Sequence, residues 1–157
     1  MRAAIARDRD EALSPTMQRV CEGLTVTHWY GERFEAAVAR SAPPEIIEAL
    51  RREHPPVEHP LVRAHPVTGR KVLFLSGGFM HAVTGMHPDE SDAFLRLLQG
   101  LLDDPNRQVR WHWTEGDLAI WDERCTNHRA LSDHYPSPRE MRRCTVDGPL
   151  LRDEGPA

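Results

Sequence analysis

The residues whose types and spacing favour chemistry lie in one stretch near the carboxyl end, "WDERCTNHRALSDHYPSPREMRRCTV". His128 stands there in a polar segment that predicts a turn just beyond a strand. Arg139 and Arg143 follow in "PREMRRCTV", whose pattern predicts a buried strand, and at this spacing both side chains point to the same face. An inward-facing arginine keeps its charge, so it needs an anion beside it. The spacing predicts a cavity in which one imidazole and two guanidinium groups bind acidic ligands.

These three residues also have ordinary structural interpretations. A histidine at a strand end is more often a hydrogen-bonded surface residue than a metal ligand. The two arginines suit the far carboxylate of a metal-chelating oxo acid, because a guanidinium pairs with that group through two hydrogen bonds. They could equally pair with Glu or Asp on neighbouring strands. The sequence leaves both interpretations open at this point.

Other catalytic motifs are missing from the sequence. It contains no HExxH and no CxxC, which makes a zinc site improbable, and no GxSxG, which argues against a serine hydrolase. The string His87-Pro88-Asp89 opens a long helical pattern, where proline in the first turn and an acid near the amino end are ordinary capping chemistry. We therefore interpret this string as a helix cap.

Composition limits the class of protein. A length of 157 residues predicts about one domain, and a net charge of -4 with a pI near 6.1 argues against a nucleic-acid binder. Three cysteines without a CxxC pattern favour reduced thiols, so we expect a cytoplasmic location. Neither a signal peptide nor a run long enough to span a bilayer is present, so no membrane partner is expected. Oligomeric state is left open, with a homo-oligomer among the alternatives.

The rest of the chain alternates short strands with short helices. Helices are predicted in "SPTMQRVCEGL", "APPEIIEALRREHPP" and, most clearly, "HPDESDAFLRLLQGLLDDP". Strands are predicted in "LTVTHWY", twice within "HPLVRAHPVTGRKVLFLSGGF", in "QVRWHW", in "DLAIWD" and in "PREMRRCTV". About six strands with inserted helices predict a mainly β, antiparallel double-sheet barrel of the jelly-roll kind. Because that architecture uses eight strands, one sheet edge is expected to be open.

Three segments together resemble the carboxyl-terminal half of one enzyme family. They are "HPLVRAHPVTGRKVLFLSGGF", "QVRWHWTEGDLAIWDERCTNHRA" and "SPREMRRCTV". They are similar to the TauD/TfdA family, the taurine and alkyl-sulfonate type of iron(II)- and 2-oxoglutarate-dependent dioxygenase. The resemblance implies a single partial domain over 1–157, matched over 11–149, with 1–10 and 150–157 disordered. It also implies a partial double-stranded β-helix, or jelly roll, that is incomplete at its amino-terminal side.

The resemblance implies roles for particular residues. In the family, a His-x-Asp motif and a distant histidine hold Fe(II), and His128 matches the distant histidine. Arg139 resembles the arginine that pairs with the 2-oxoglutarate carboxylate, and Arg143 resembles the one that reaches the substrate anion. Three aromatic residues match less specifically: Phe79 and Phe34 as substrate contacts, and Trp121 near the metal.

The reaction that the resemblance implies uses 2-oxoglutarate and oxygen as co-substrates and Fe(II) as the metal. Decarboxylation of 2-oxoglutarate to succinate accompanies hydroxylation of a carbon beside an anionic group. The substrate is then a small anion, and the family spans sulfonates, sulfate esters and aryloxyacetates. The sequence "SGGF" before Phe79 departs from the pattern expected of a taurine enzyme.

The departures from the family pattern leave three hypotheses. The family's His-x-Asp lies upstream of the matched segment, so two of three iron ligands are expected to be missing and the chain to be truncated or start-shifted. The first hypothesis is a dioxygenase of this type. The second is an inactive remnant, or a non-enzymatic subunit completed by another chain. The third, ranked last, is a small cupin-like protein that binds metal through His87, Asp89 and His128.

Overall fold

The computed structural model describes residues 2–7, 13–131, 135–136, 138 and 140–146 of the 157-residue sequence, and residues 2–7 are described by their backbone. Within these ranges the helices are α1 (Pro15–Glu22), α2 (Gly31–Val38), α3 (Pro44–Glu53) and α4 (Pro88–Asp103). The strands there are β1 (Arg2–Arg7), β2 (Thr25–His28), β3 (Val57–Pro60), β4 (Val62–Ala64), β5 (Lys71–Leu73), β6 (Met80–Val83), β7 (Gln108–His112) and β8 (Thr126–Ala130). Short strands with inserted helices are the class that the sequence predicts.

The described strands pair into three small antiparallel sheets. One has the order β7-β1-β8, the second has the order β3-β2-β6, and the third consists of β4 and β5. In the first sheet, Ile5 of β1 lies opposite His128 of β8 and Val109 of β7. Among the described strands β8 pairs with β1 alone, so the candidate histidine lies on an outer strand.

Helix α4 packs against the sheets through one buried face. Leu95, Leu98 and Leu102 recur at helical spacing and are buried. The buried hydroxyl oxygen of Ser91 accepts a hydrogen bond from the backbone N–H of Val83 (2.9 Å), which ties the helix to β6. The buried hydrophobic cluster also includes residues of α1, β2, β5 and β6 and two residues next to strands: Cys21, Val26, Leu73 and Val83, with Leu61 and Leu75. Helix α4 therefore covers the sheet that contains β6.

Local capping signals set the starts of two helices, as the sequence predicts. The Ser14 side chain accepts a hydrogen bond from the backbone N–H of Met17 (3.4 Å) at the start of α1. At the start of α4, His87 and Glu90 form a reciprocal capping box. The string His87-Pro88-Asp89 is therefore a helix start, because the His87 side chain accepts a hydrogen bond from the backbone N–H of Asp89 in the first turn.

The amino-terminal residues differ from the expectation of disorder over 1–10. Residues 2–7 form β1, which has an antiparallel neighbour on each side, β7 and β8. A strand is stabilised when neighbouring strands satisfy its backbone N–H and C=O groups, and the sequence of a short segment does not reveal which neighbours it will have. The other segment expected to be disordered, 150–157, lies outside the described residues.

The region around the candidate site differs most from the strand predictions. "DLAIWD", residues 117–122, is irregular, and residues 140–146 are irregular and exposed. "TNHRA" was expected to be a polar turn but forms β8, because it pairs with β1. Alternating side chains favour a strand only where a sheet edge is available to pair with it. The predicted strand face shared by Arg139 and Arg143 is therefore not formed in the described residues.

Two observations bear on the expected compartment. Of the three cysteines, Cys21 is buried, Cys125 is partly buried and Cys144 is exposed. In the part of the chain that the structure describes, every helix is too short or too polar to cross a bilayer. The cytoplasmic location itself stays a prediction.

Two adjacent leucines of α4 provide a matched test of the core. Leu98 is fully buried, whereas Leu97 is 54% exposed. We expect Leu98→Ala to lower the free energy of unfolding by about 2–5 kcal/mol, because the truncation leaves a cavity. Leu97→Ala should change it by less than about 1 kcal/mol. Urea denaturation followed by circular dichroism measures both losses, and equal losses would contradict the packing described for α4.

Candidate functional site

An open cleft of about 730 Å³ brings several of the predicted site residues together. Its lining comes from residues 74–79, the last part of α4, β8 and the segments on either side of β8. Phe79, His128 and Arg143 all contribute to it. Of the predicted residues, the cleft therefore combines one aromatic ring, one imidazole and one guanidinium group. The second guanidinium group that the sequence predicts there, that of Arg139, lies outside the described residues.

The other predicted site residues have different positions. Trp121 packs its ring against that of His128, with ring centres 5.1 Å apart. Phe34 lies on α2, where its ring contacts Tyr30 at 5.6 Å, and it is not among the residues that line the cleft. Arg139 lies outside the described residues. The structure thus groups Trp121 with the site and separates Phe34 from it.

Glu123 is the cleft residue that the sequence analysis missed. Its carboxylate accepts a hydrogen bond from Nη2 of Arg143, and its Oε1 lies 3.7 Å from Nδ1 of His128. The side chains of Glu123, His128 and Arg143 are all partly exposed, at 42%, 39% and 50%. The segment "WDERC" around Glu123 has no periodic pattern. The signal that the sequence offered for Glu123 was therefore its closeness to His128.

Phe79 is held at the cleft by a tight turn. Its backbone N–H donates to the carbonyl of Ser76 (3.0 Å), and its carbonyl accepts from the backbone N–H of Trp29 (2.8 Å). Gly77 within this turn has a φ of +54°, a conformation that costs glycine little and other residues more. Asn127 of β8 donates its side-chain amide to the carbonyl of Leu75. The turn and β8 therefore form connected walls of one cleft.

Asp122 fixes the segment that leads into β8. Its carboxylate accepts hydrogen bonds from the Arg124 guanidinium, through Nε at 2.8 Å and Nη2 at 2.6 Å, and from the Arg124 backbone N–H at 2.9 Å. Nε2 of His65 lies 3.0 Å from the same carboxylate. The carbonyl of Asp122 accepts from the hydroxyl of Thr126 (2.5 Å). Glu123 therefore follows a residue whose side chain and backbone are both held.

The hydrogen bonds of His65 determine its tautomer. This side chain is 8% exposed, and its Nδ1 accepts from the backbone N–H groups of Val67 and Thr68, each at 3.3 Å. A nitrogen that accepts carries no proton, so the proton resides on Nε2 and is donated to Asp122. The imidazole therefore connects the turn between β4 and β5 to the segment before β8.

The donors around Asp122 change its acidity. The Arg124 guanidinium, together with His65 and the backbone N–H of Arg124, holds the pKa of the Asp122 carboxyl well below its ordinary value. Partial burial raises the pKa of this carboxyl, but the hydrogen bonds lower it by more. Asp122 therefore stays ionised throughout the range in which proteins normally work.

His65, Asp122 and Cys125 offer ligand atoms within 4.8 Å of one another, a composition that occurs in metal sites. The hydrogen bonds argue for a structural role. A metal on Nε2 of His65 would require a proton on Nδ1, and Nδ1 already faces two backbone donors. The three residues are therefore better explained as a hydrogen-bonded support for the segment before β8.

His128 alone does not meet the requirements of an iron site. A two-histidine, one-carboxylate site needs three converging protein ligands. Within the described residues, the group of potential ligands that converges is the His65 group, which does not include His128. The described residues therefore do not fit Fe(II) by themselves, and what they can perform is binding and orientation.

The cupin-like alternative finds no support in the described residues. His87 and Asp89 lie at the start of α4, with Nδ1 of His87 3.8 Å from the Asp89 carboxylate. Both side chains are exposed, and they form no converging group with His128. Their hydrogen bonds are those of a helix cap.

Comparisons with known proteins identify related sequences. A family model described as "Taurine catabolism dioxygenase TauD, TfdA family" matches residues 11–145, against the range of 11–149 expected from the sequence. The alkylsulfatase of Acinetobacter baylyi is 34% identical over 142 residues, which is 88% of this chain and 44% of that protein. The alpha-ketoglutarate-dependent sulfate ester dioxygenase of Pseudomonas putida is 42% identical over 91 residues, which is 58% of this chain and 30% of that protein.

A solved structure agrees with these matches. The crystal structure of a taurine dioxygenase from Burkholderia xenovorans superposes with a TM-score of 0.67 at 31% identity. The superposition covers 86% of this chain and 42% of that one. The chain therefore spans less than half the length of each relative described here.

The bonds to Asp122 predict an acid dependence of stability. The pKa of Asp122 is lower in the folded state than in the unfolded state. The ionised carboxylate therefore stabilises the fold fully at pH values above its unfolded-state pKa of about 3.9. This contribution is lost as pH falls through the lowered folded-state value. We expect Asp122→Asn to reduce stability at neutral pH and to flatten its decline in acid, as measured by urea denaturation at several pH values.

The matched control for this prediction is Asp92→Asn, which neutralises an exposed acid on α4. It should leave the acid dependence close to that of the unmodified protein. An Asp122→Asn variant with an unchanged acid dependence would contradict the structural role described for this carboxylate.

Proposed function

This chain belongs to the TauD/TfdA family, and from that premise we propose that it works as part of an iron(II)- and 2-oxoglutarate-dependent dioxygenase that hydroxylates a small anionic substrate. The observation that carries the proposal is the meeting of His128 and Arg143 in one cleft. An imidazole that can ligate a metal and a guanidinium that can bind an anion are the groups that such a reaction needs side by side.

The substrate class follows from the names of the relatives. They are an alkylsulfatase, a sulfate ester dioxygenase and a taurine dioxygenase. A sulfate ester and a sulfonate share a negatively charged group with several oxygen acceptors, which a guanidinium binds well. We propose that the substrate of this chain is a sulfonate or a sulfate ester.

Each described site residue then has a role in binding or orientation. His128 would be one metal ligand, and the Trp121 ring against it would restrict the orientation of its imidazole. Arg143 would bind the substrate anion, and Phe79, which lines the same cleft, would pack on the substrate. Arg139 is proposed to bind the 2-oxoglutarate carboxylate. The metal supplies the oxidative chemistry, and these residues position the reactants.

We propose that the remaining metal ligands come from residues other than those that the structure describes. One neutral imidazole does not retain a divalent metal, because affinity at such sites comes from several converging ligands and their supporting hydrogen bonds. The chain spans 44% of one relative and 30% of another, which leaves most of each relative unmatched. We propose that the unmatched part of a longer protein supplies the His-x-Asp ligands.

A catalytically inactive remnant, or a non-enzymatic subunit of the same fold, is the second candidate. The observation that favours it is the ion pair between Arg143 and Glu123, which neutralises the guanidinium in the absence of a ligand. In a protein that binds no substrate, Arg143 would stay paired with an acid of the same chain. The two candidates differ in whether a complete metal site can be assembled.

Metal binding by the 157-residue chain tests the proposed ligand set. We expect anaerobic titration with Fe(II) and 2-oxoglutarate to give no stoichiometric complex, because three converging ligands are required. Visible absorption in the charge-transfer region and calorimetry are the measurements. A stoichiometric complex that His128→Ala abolishes would show that this chain holds a complete site, and the proposal of external ligands would be wrong.

The coding region upstream of Met1 tests the enzymatic candidate. An in-frame His-x-Asp on a strand-like segment predicts that the longer protein consumes oxygen when given 2-oxoglutarate and a sulfonate or sulfate ester. In that protein, Arg143→Met should raise the substrate KM at least about tenfold, because a charged hydrogen-bond partner is lost. The KM of the Arg143→Met variant for 2-oxoglutarate should differ little from that of the unmodified protein.

Arg142→Met is the control for this kinetic test, since it removes an adjacent and exposed arginine. It should leave both KM values near those of the unmodified protein. A stop codon or frameshift upstream would instead favour the inactive remnant.

A further inference from the structure

Glu123 lies between the two groups to which the proposed function assigns binding roles. Its carboxylate is hydrogen-bonded to Arg143, and its Oε1 is 3.7 Å from Nδ1 of His128. All three side chains contribute to the lining of the same cleft. The carboxylate therefore occupies a position that an anionic ligand would need in order to bind Arg143 beside His128.

The two arginines in the described lining of the cleft are both paired with acids before any ligand enters. Besides the pair of Arg143 and Glu123, the described lining contains Arg129, whose Nη1 lies 3.5 Å from the carboxylate of Asp103. Each of these arginines thus has an acidic partner within the cleft. Among the described lining residues, an anion that binds either arginine therefore has to replace an acid.

The pair at Arg143 is of a kind that a ligand can replace. Both partners are about half exposed, and exposed ion pairs are weak because water and salt screen the charges. A guanidinium carries five N–H donors, and a single one, at Nη2, bonds to Glu123. A sulfonate or sulfate group presents three acceptor oxygens, so it can use donors that Glu123 leaves unused.

We propose that Glu123 determines which anions the cleft accepts, by occupying Arg143 until a ligand displaces it and by repelling ligands of higher negative charge. This proposal rests on the proposed function, in which Arg143 binds the substrate anion. After displacement the carboxylate stays within the cleft, since it follows the fixed Asp122. Its remaining charge disfavours a second negative charge on the ligand more than a first one. The part of the cleft at Arg143, where the proposed function places the substrate anion, is therefore selective for monoanions, such as sulfonates and sulfate monoesters.

Two probe anions of similar shape, one organic and one inorganic, separate the effect of ligand charge from that of ligand size. Methanesulfonate carries one negative charge and sulfate carries two, while both present oxygens in a tetrahedral arrangement. Backbone amide shifts in NMR titrations at constant ionic strength give the dissociation constants for the 157-residue protein. We expect Glu123→Gln to tighten methanesulfonate binding by about two- to fivefold, the range that loss of one exposed competing ion pair explains. Sulfate binding should tighten by a larger factor.

The matched control is Glu140→Gln, which removes an exposed acid that precedes Arg143 by three residues. It changes the net charge equally, so equal gains in both variants would overturn the proposal in favour of a general charge effect. An unchanged affinity in Glu123→Gln would also overturn it. The amide spectrum of each variant verifies folding, and Glu123→Ala provides a second substitution with the same expected direction.

Arg143→Met separates failure of this proposal from failure of the proposed function. If Arg143→Met abolishes binding while Glu123→Gln binds as the unmodified protein does, the role of Glu123 is wrong and that of Arg143 stands. The double variant combines Glu123→Gln with Arg143→Met. If it binds methanesulfonate as tightly as Glu123→Gln alone, Arg143 is not the anion-binding group and both proposals fail. Absence of binding in the unmodified protein and in Glu123→Gln overturns both as well.

Discussion

The carboxylate of Asp122 accepts hydrogen bonds from His65, which is 57 residues away in sequence, and from the neighbouring Arg124. These bonds join the turn between β4 and β5 to the segment that enters β8. His128 lies on β8 and Glu123 lies in that segment, so their separation depends on the same carboxylate. A side chain that is ionised and surrounded by donors holds its position without a large hydrophobic environment. This explains how a partly exposed cleft keeps a defined arrangement of charges.

The sequence was sufficient for features that depend on neighbouring residues. The helix cap predicted at His87-Pro88-Asp89 is present, and Ser14 and the apolar spacing of α4 are local signals of the same kind, which produce a cap and a buried face. The taurine dioxygenase and its related solved structures confirm the predicted partial jelly roll. Strand pairing was less predictable, because β8 exists through its pairing with the distant β1. "DLAIWD" has the alternation of a strand but no partner among the described residues, and its Leu118 and Ile120 are 83% and 89% exposed.

The candidate site was predictable in part. His128, Arg143 and Phe79 meet in one cleft, although the strand face proposed to align Arg139 with Arg143 is absent from the described residues. Pairing with an acid was one of the two structural alternatives for the arginines, and Arg143 forms such a pair. It could not identify Glu123 as the acid, since side-chain contacts across irregular segments leave no periodic pattern in a sequence.

The exposed thiol of Cys144 directly follows Arg143, while Cys21 is buried and Cys125 is partly buried. A maleimide dye would therefore attach preferentially at position 144 while the native state persists. The fluorophore would sit beside the guanidinium, where its emission would respond to local polarity. The polypeptide thus carries a natural labelling position for following cleft occupancy by optical spectroscopy, without the introduction of a new cysteine.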